Sequence, residues 1–262
     1  MSAVKDRVEG VLVGLCIGDR NGGPVRMAIR LAESLADLGR FDRKDIGFRY
    51  LQWWREGAFD TGPTAAKVFE RVDHGADFDS AARAVHEELG GSSAGCNPAH
   101  RCSPLAMASW IPIDDLPGVV KEEATQTHLH PISVDVAVAV GVLCRLLITG
   151  DDWETAKSRV AQGKGELIRN ALRINSESRI NAGGYAPDVL SAAIYFLDSA
   201  DSFSESLMRS LDFAGPANYC PVLVGALGGA RWGRSSIPER WCMDISIRAR
   251  VESAARRHAA SW

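Results

Sequence analysis

The run Asp212-Phe-Ala-Gly-Pro-Ala-Asn-Tyr-Cys-Pro-Val-Leu-Val-Gly-Ala-Leu-Gly-Gly-Ala-Arg-Trp-Gly233 passes from a polar turn straight into a helix of small residues. Gly225, Ala226, Gly228, Gly229 and Ala230 leave so little side chain that a second helix can approach closely. Such a helix belongs inside an all-helical core, with the turn at residues 214–220 exposed at one end. An Ile237-Pro-Glu-Arg-Trp241 clasp follows it.

Outward from this core helix, the chain reads as helix after helix. Residues 4–17 carry an apolar stripe at Val4, Val8, Val11, Leu12 and Leu15, broken by the turn from Gly18 to Pro24. A second helix runs over 25–38 and stops at Gly39. Asp42 caps a third, Thr64 starts a fourth that Gly75 ends, and Asp79 starts a fifth that ends at Gly90-Gly91. Residues 92–104, rich in Gly, Ser, Asn and Pro, read as the longest loop. Pro117 suits the first turn of a helix reaching about Gln126. Helices near 133–149, 151–174, 187–200, 203–213, 221–232 and 245–259 complete the set. Period-2 alternation is nearly absent and no Pro/Ser-rich linker appears, so the expectation is an all-α single domain over 1–262.

The 262 residues are 46% hydrophobic and 24% charged, the balance of a soluble globular protein. A formal net charge of −3 offers no basic field for nucleic acid or an anionic membrane. The longest apolar run, residues 136–144, is too short to span a bilayer. The N-terminus has early acids and no cleavage pattern, and six scattered cysteines suit buried thiols, so a cytoplasmic protein is expected.

Seven segments, in order, resemble the ADP-ribosylglycohydrolase family, which includes the dinitrogenase-reductase-activating glycohydrolases. They are the opening helix 10–19 with its Gly18-Asp19 turn, the helix around residues 27–35, Arg49-Tyr-Leu-Gln-Trp-Trp54 with Phe59-Asp60-Thr-Gly62, Gly95-Cys-Asn-Pro-Ala-His-Arg101, Thr127-His128-Leu-His-Pro131, Gly184-Tyr-Ala-Pro-Asp188, and the 212–233 run itself. The resemblance implies a compact orthogonal helix bundle whose cleft holds two divalent cations between an early and a late acidic cluster. The cations hold the ribose of an ADP-ribosyl group while water displaces its glycosidic partner.

Here the chain departs from the family pattern. The early Thr-Asp-Asp-Thr motif aligns with Gly22-Gly23-Pro24-Val25, and the two late Asp positions with Pro216 and Asn218, the following Thr with Tyr219. Magnesium needs several oxygen ligands, mostly carboxylates, and a pair of cations needs more. The expectation is therefore no metal and no family Mg2+/Mn2+ cofactor site. The resemblance leaves Asp60 and His128 as acid and base if any catalysis persists. It leaves Asp19, Gly95, Asn97, Arg101, Asn218 and Tyr219 as the substrate-binding set. Each has a plainer reading: Asp60 as a helix cap, Asp19 as a turn residue, Arg101 on helix C-terminal carbonyls and His128 as an interior histidine.

Two other constellations stand out. Cys96, His100 and Cys102 are ligand types that zinc accepts, but Cys-x3-His-x-Cys matches no closed zinc module. Cys220 beside the former Thr position allows a thiol nucleophile with His128, with no oxyanion device legible next to it. The basic stretch 248–258 reads as the solvated face of the last helix. The expected function is a pseudoenzyme that binds an ADP-ribosyl or other nucleotide-like ligand, an ADP-ribosylated protein, or another protein partner. The alternative is a metal-independent hydrolase on an N-glycosidic or nucleotide substrate.

Overall fold

Helices form where an apolar stripe is bracketed by a cap and a stop. The computed structural model describes residues 2–262 except Asn21, Arg240, Cys242 and Met243. The helices are α1 (Ala3–Gly18), α2 (Gly23–Leu38), α3 (Arg43–Arg55), α4 (Pro63–Asp73) and α5 (Phe78–Glu88). Then come α6 (Asn97–Arg101), α7 (Ser103–Met107), α8 (Leu116–Ala124), α9 (Pro131–Thr149) and α10 (Trp153–Ala161). The last are α11 (Glu166–Ala171), α12 (Ala186–Asp198), α13 (Phe203–Ala214), α14 (Tyr219–Trp232) and α15 (Ile245–Ala260). Among the described residues the one β-type pairing is an isolated bridge between Gly95 and Tyr185. The fold is all-α, as the sequence indicates.

Side-chain oxygens of Asp42, Asp77, Asp152 and Ser202 cap α3, α5, α10 and α13, and Gly39 and Gly150 stop α2 and α9 in the left-handed region. Two expectations need correction. The helix expected over 151–174 is two, α10 and α11, because Gly163 takes φ +71° between them. The expected loop 92–104 holds α6 and α7, since Pro98 and Pro104 fall in first turns, where a missing N–H costs nothing.

The centre is an antiparallel pair, α1 on α14. A Cβ at Gly10 would fall on the carbonyl oxygen of Gly229, one at Gly14 on that of Gly225, and one at Gly18 on that of Pro221. The same holds in reverse for Gly225 and Gly229. Three contacts at four-residue spacing bring the two backbones together. Gly228 does not share this face: it looks at the side chains of Phe203, Leu197 and Trp232. The pairing has a functional consequence. Running antiparallel, it puts the C-terminus of α1 and the N-terminus of α14, hence Asp19 and Asn218, at the same end.

The second central element is α9, which reaches beyond the apolar run seen in the sequence. By length and composition its 19 residues could cross a membrane, yet 78% of its most apolar window is buried inside this fold. Arg145 gives the reason it belongs in a helical core. Its buried guanidinium donates to the carbonyls of Ala106, Ile111 and Ala108 at 2.7, 2.6 and 2.6 Å, closing the end of α7. One large apolar cluster runs from Val8 to Ala259, with a small satellite of Val68, Val72, Ala81, Ala82 and Val85. Part of the 237–241 clasp, Arg240, lies outside the described residues, as does Cys242.

Candidate functional site

At the end of the bundle where α1 stops and α14 starts, a cavity of about 290 Å³ opens. Pro24, Asp60, the Gly62–Thr64 turn, Gly95, Cys96, Asn97, His100, His128, Gly184, Asn218 and Tyr219 line it. It continues into a wider trough of about 840 Å³, bounded by His86, Gly90, Gly91, His130 and Tyr185 and sharing Pro63, Thr64, Gly95 and Gly184 with the cavity.

The floor is built at the N-terminus of α2. Asp19, 1% exposed, accepts the Val25 backbone N–H at 2.8 Å, and Asp60 accepts that of Gly23 at 3.2 Å. A helix N-terminus is the favourable place for two carboxylates, because its first N–H groups lack partners and its dipole end is positive. The Asn218 side-chain amide then donates to Asp19 Oδ1 at 2.5 Å and to Asp60 Oδ2 at 2.8 Å. Gly22 and Gly23 make this possible. A Cβ on Gly22 would crowd Asp60, Asp19 and Asn218 together, and one on Gly23 would strike the Phe59 and Asp60 carbonyls. Asp60 itself sits at φ +52°, an uncommon region for a residue with a Cβ. Asp60 therefore does not cap α4, whose N-cap is Gly62. Burial pushes the Asp19 carboxyl well above the usual carboxylate range, and the charge of Asp60 adds to this. The Val25 N–H and the Asn218 amide pull the other way.

The wall comes from α6 and the segment before α9. Asn97, Cys96 and His100 share one face of a short helix and look into the cavity. Asn97 donates to the Thr61 carbonyl at 3.0 Å, and its own carbonyl oxygen accepts from Arg101. Arg101 is fully buried and does not line the cavity. It pairs with Glu123 at 2.6 Å, reaches the Glu123 carbonyl at 3.4 Å near the end of α8, and lies over the Tyr50 ring. The substrate-binding role expected for Arg101 is thus replaced by a structural one: it holds Asn97 from behind. Its direction was not legible because the residue that captures it, Glu123, is 22 positions away.

His128 stands beside Gly95, whose absent Cβ would come 3.3 Å from His128 Nε2. Its Nδ1 meets Thr127 Oγ1 at 2.9 Å. Burial, with a smaller push from Arg101, takes its pKa down to about 3, and burial takes His100 down to about 4. Both imidazoles are neutral at ordinary pH. His100 was absent from the expected binding set. Its signal was the spacing from Cys96 and Asn97 on a Pro98-initiated helix.

The zinc and thiol readings find no support in the geometry. Cys96 Sγ lies 3.9 Å from His100 Nδ1, but Cys102 turns away, its Sγ facing the Ala99 and Ala137 carbonyls. Burial pushes the Cys96 and Cys220 thiols up to about 12, so neither offers a thiolate. Among the described residues no group of three or more His, Cys, Asp or Glu is placed to hold a metal ion. Among the described residues no Lys or Arg lines the cavity, and Asp60 is the one acidic residue that does.

Of the expected residues, then, Asp60, Gly95, Asn97, His128, Asn218 and Tyr219 line one cavity, Asp19 stands directly behind Asn218, and Arg101 lies outside. The structure is an all-α bundle with this cleft at one end, and comparison with known proteins gives its family. A model of the ADP-ribosylglycohydrolase family matches residues 1–262, so the chain belongs to the ADP-ribosylglycohydrolase family. It is 24% identical to the ADP-ribosyl-[dinitrogen reductase] glycohydrolase of Rhodospirillum rubrum, over 97% of this chain and 95% of that one. It is 25% identical to the ADP-ribosylarginine hydrolase Tri1 of Serratia proteamaculans (strain 568), over 95% of this chain and 78% of that one. A solved structure described as an ADP-ribosylglycohydrolase-related protein complex superposes with a TM-score of 0.79 at 24% identity, covering 99% of both chains. That likeness is one of fold.

Proposed function

We propose that this protein binds an ADP-ribosyl or similar nucleotide-like group, free or on a modified protein, in the 290 Å³ cavity without the two-metal hydrolytic centre. The observation that carries this reading is the Asn218 amide, which donates to both carboxylates at the cleft floor. A metal ligand must present a lone pair, and this nitrogen presents two N–H bonds instead. The positions aligned with the family's early acidic motif, Gly22-Gly23-Pro24-Val25, carry no side-chain oxygen. Alignment with the R. rubrum relative runs over 291 positions against 262 residues here, in keeping with a chain shortened relative to it.

The pocket suits the ribosyl part of such a ligand. Asp60 and the Asn218 carbonyl oxygen accept hydrogen bonds from hydroxyls, and Tyr219 offers an aromatic face over Gly184. With no cationic side chain among the described residues of the cavity lining, phosphates fit the open trough better than the interior. We place the protein in the cytoplasm, acting on small molecules or proteins rather than nucleic acid or membrane. The alternative, a metal-independent hydrolase, is favoured by one fact: Asp60 and His128 line the same cavity. It is weakened by another, since an imidazole pushed down to about 3 is a feeble base.

Calorimetric titration with ADP-ribose in EDTA tests the proposal. Binding is expected in the wild type and weakened at least tenfold in Asp60→Ala, the loss of a charged hydrogen-bond acceptor being worth about 1.5–3 kcal/mol. No heat in either EDTA or magnesium would refute it.

A further inference from the structure

We propose that the side-chain amide of Asn218 does the electrostatic work of a cation between Asp19 and Asp60, so that the cleft floor assembles without metal. Three observations carry this, and none depends on what ligand the cleft takes.

The first is that Asn218 occupies the N-cap position of α14 yet makes no cap bond to its own helix. Asn is favoured at N-caps because its side-chain oxygen satisfies a free N–H there. Here the side chain is turned across the cleft instead, spending both amide hydrogens on two carboxylates from distant parts of the chain. The second is the way Asp19 and Asp60 depend on it. Each Asp19 oxygen accepts one N–H, from Val25 and from Asn218, while burial and the neighbouring Asp60 work against a negative charge there, so the Asn218 amide offsets that cost. The Arg26 charge reaches Asp19 from outside the cavity lining, its guanidinium lying over Phe59 and pairing with Asp244. The third is the bare face of Gly22, where Asp60 Oδ2, Asp19 Oδ1 and Asn218 Nδ2 converge so closely that no side chain fits. The glycine keeps open the small volume in which the three groups meet.

An amide suits this task for a physical reason. Its two N–H bonds diverge at a fixed angle, so one nitrogen satisfies one oxygen of each carboxylate and holds them at a set separation. It adds no net charge of its own. Asn218 is thus a positioning residue that ties the ends of α1 and α14 to the loop before α4.

The same geometry makes the floor a single substitution away from cation dependence. Asn218→Asp puts a third carboxylate at the meeting point and removes the N–H donors, leaving oxygens that a hard divalent cation accepts. Thermal unfolding of the whole protein in EDTA and in Mn2+ reads this. The wild-type midpoint is expected to be unchanged by Mn2+. Asn218→Asp is expected to unfold lower in EDTA and to rise by about 5 °C or more at Mn2+ concentrations about 100-fold above its dissociation constant. The gain should vanish in Asn218→Asp/Asp60→Asn. A packing role predicts none of these metal effects. Should Asn218→Asp not fold, Asn218→Ala decides: it is expected to lower the midpoint less in an Asp60→Asn background than in the wild type, because one charge is then gone. An equal Mn2+ shift in the wild type, a folded Asn218→Asp indifferent to Mn2+, or strictly additive Asn218→Ala and Asp60→Asn effects would overturn the proposal.

Discussion

Two buried imidazoles make acid the weak side of this protein. His100 and His128 are held down to about 4 and about 3 by burial, whereas in the unfolded chain they titrate near 6.5. Folded pKa values below unfolded ones mean that the unfolded state binds more protons as pH falls. The stability is complete above about pH 6.5 and is lost progressively below it, down to about pH 4 for His100 and about pH 3 for His128. At pH 5 each histidine costs about 2 kcal/mol. Urea unfolding at pH 7.5 and pH 5 should show that loss, and His128→Gln should flatten about half of it. Arg101 makes the opposite case. Its pair with Glu123 is fully buried, so Arg101→Ala should cost about 3–5 kcal/mol by stranding Glu123 and freeing Asn97. Chemical denaturation checks this. A loss of ligand affinity with stability intact would instead restore the binding role first expected. Six of the eight expected site residues were legible because backbone motifs fix where a loop residue points. Arg101 was not, since a long side chain goes to whichever buried charge is nearest in space.

At the scale of elements, the α1–α14 pair carries the site. Its tightest contacts are backbone to backbone at Gly10, Gly14, Gly225 and Gly229. Gly229→Ala should therefore push the helices apart, cost about 1–3 kcal/mol or more and loosen the Asn218–Asp19 contact. Gly228→Ala, which meets the side chain of Phe203 at 3.2 Å, should cost less because a ring can shift. Comparing the two unfolding midpoints tests the assignment. The sequence shows the small residues of α14 plainly, and Gly10, Gly14 and Gly18 match them at the same spacing. What it does not show is which glycine of the Gly228-Gly229 pair faces α1, because that depends on the rotation of the helix. The short helices α6 and α7 were hidden for another reason: composition rich in Gly, Ser, Asn and Pro reads as loop, while Pro98 and Pro104 at first turns start helices within it.

At the scale of the molecule, the chain keeps the family's bundle and cleft while its floor is made of an amide, two carboxylates and glycines. Under the proposed function this floor binds ligand without driving hydrolysis. Cations that fix ribose hydroxyls and activate water are worth several kcal/mol of transition-state stabilisation, which neutral groups do not supply. Asp60 and a neutral His128 would offer about 10²–10⁴-fold at most, and only if correctly placed. The most direct test is release of ADP-ribose from an arginine-ADP-ribosylated protein, measured with the purified chain in EDTA and in saturating magnesium or manganese. Release no faster than the uncatalysed background is expected in all conditions. Catalytic turnover that appears on adding metal and disappears with EDTA would contradict it.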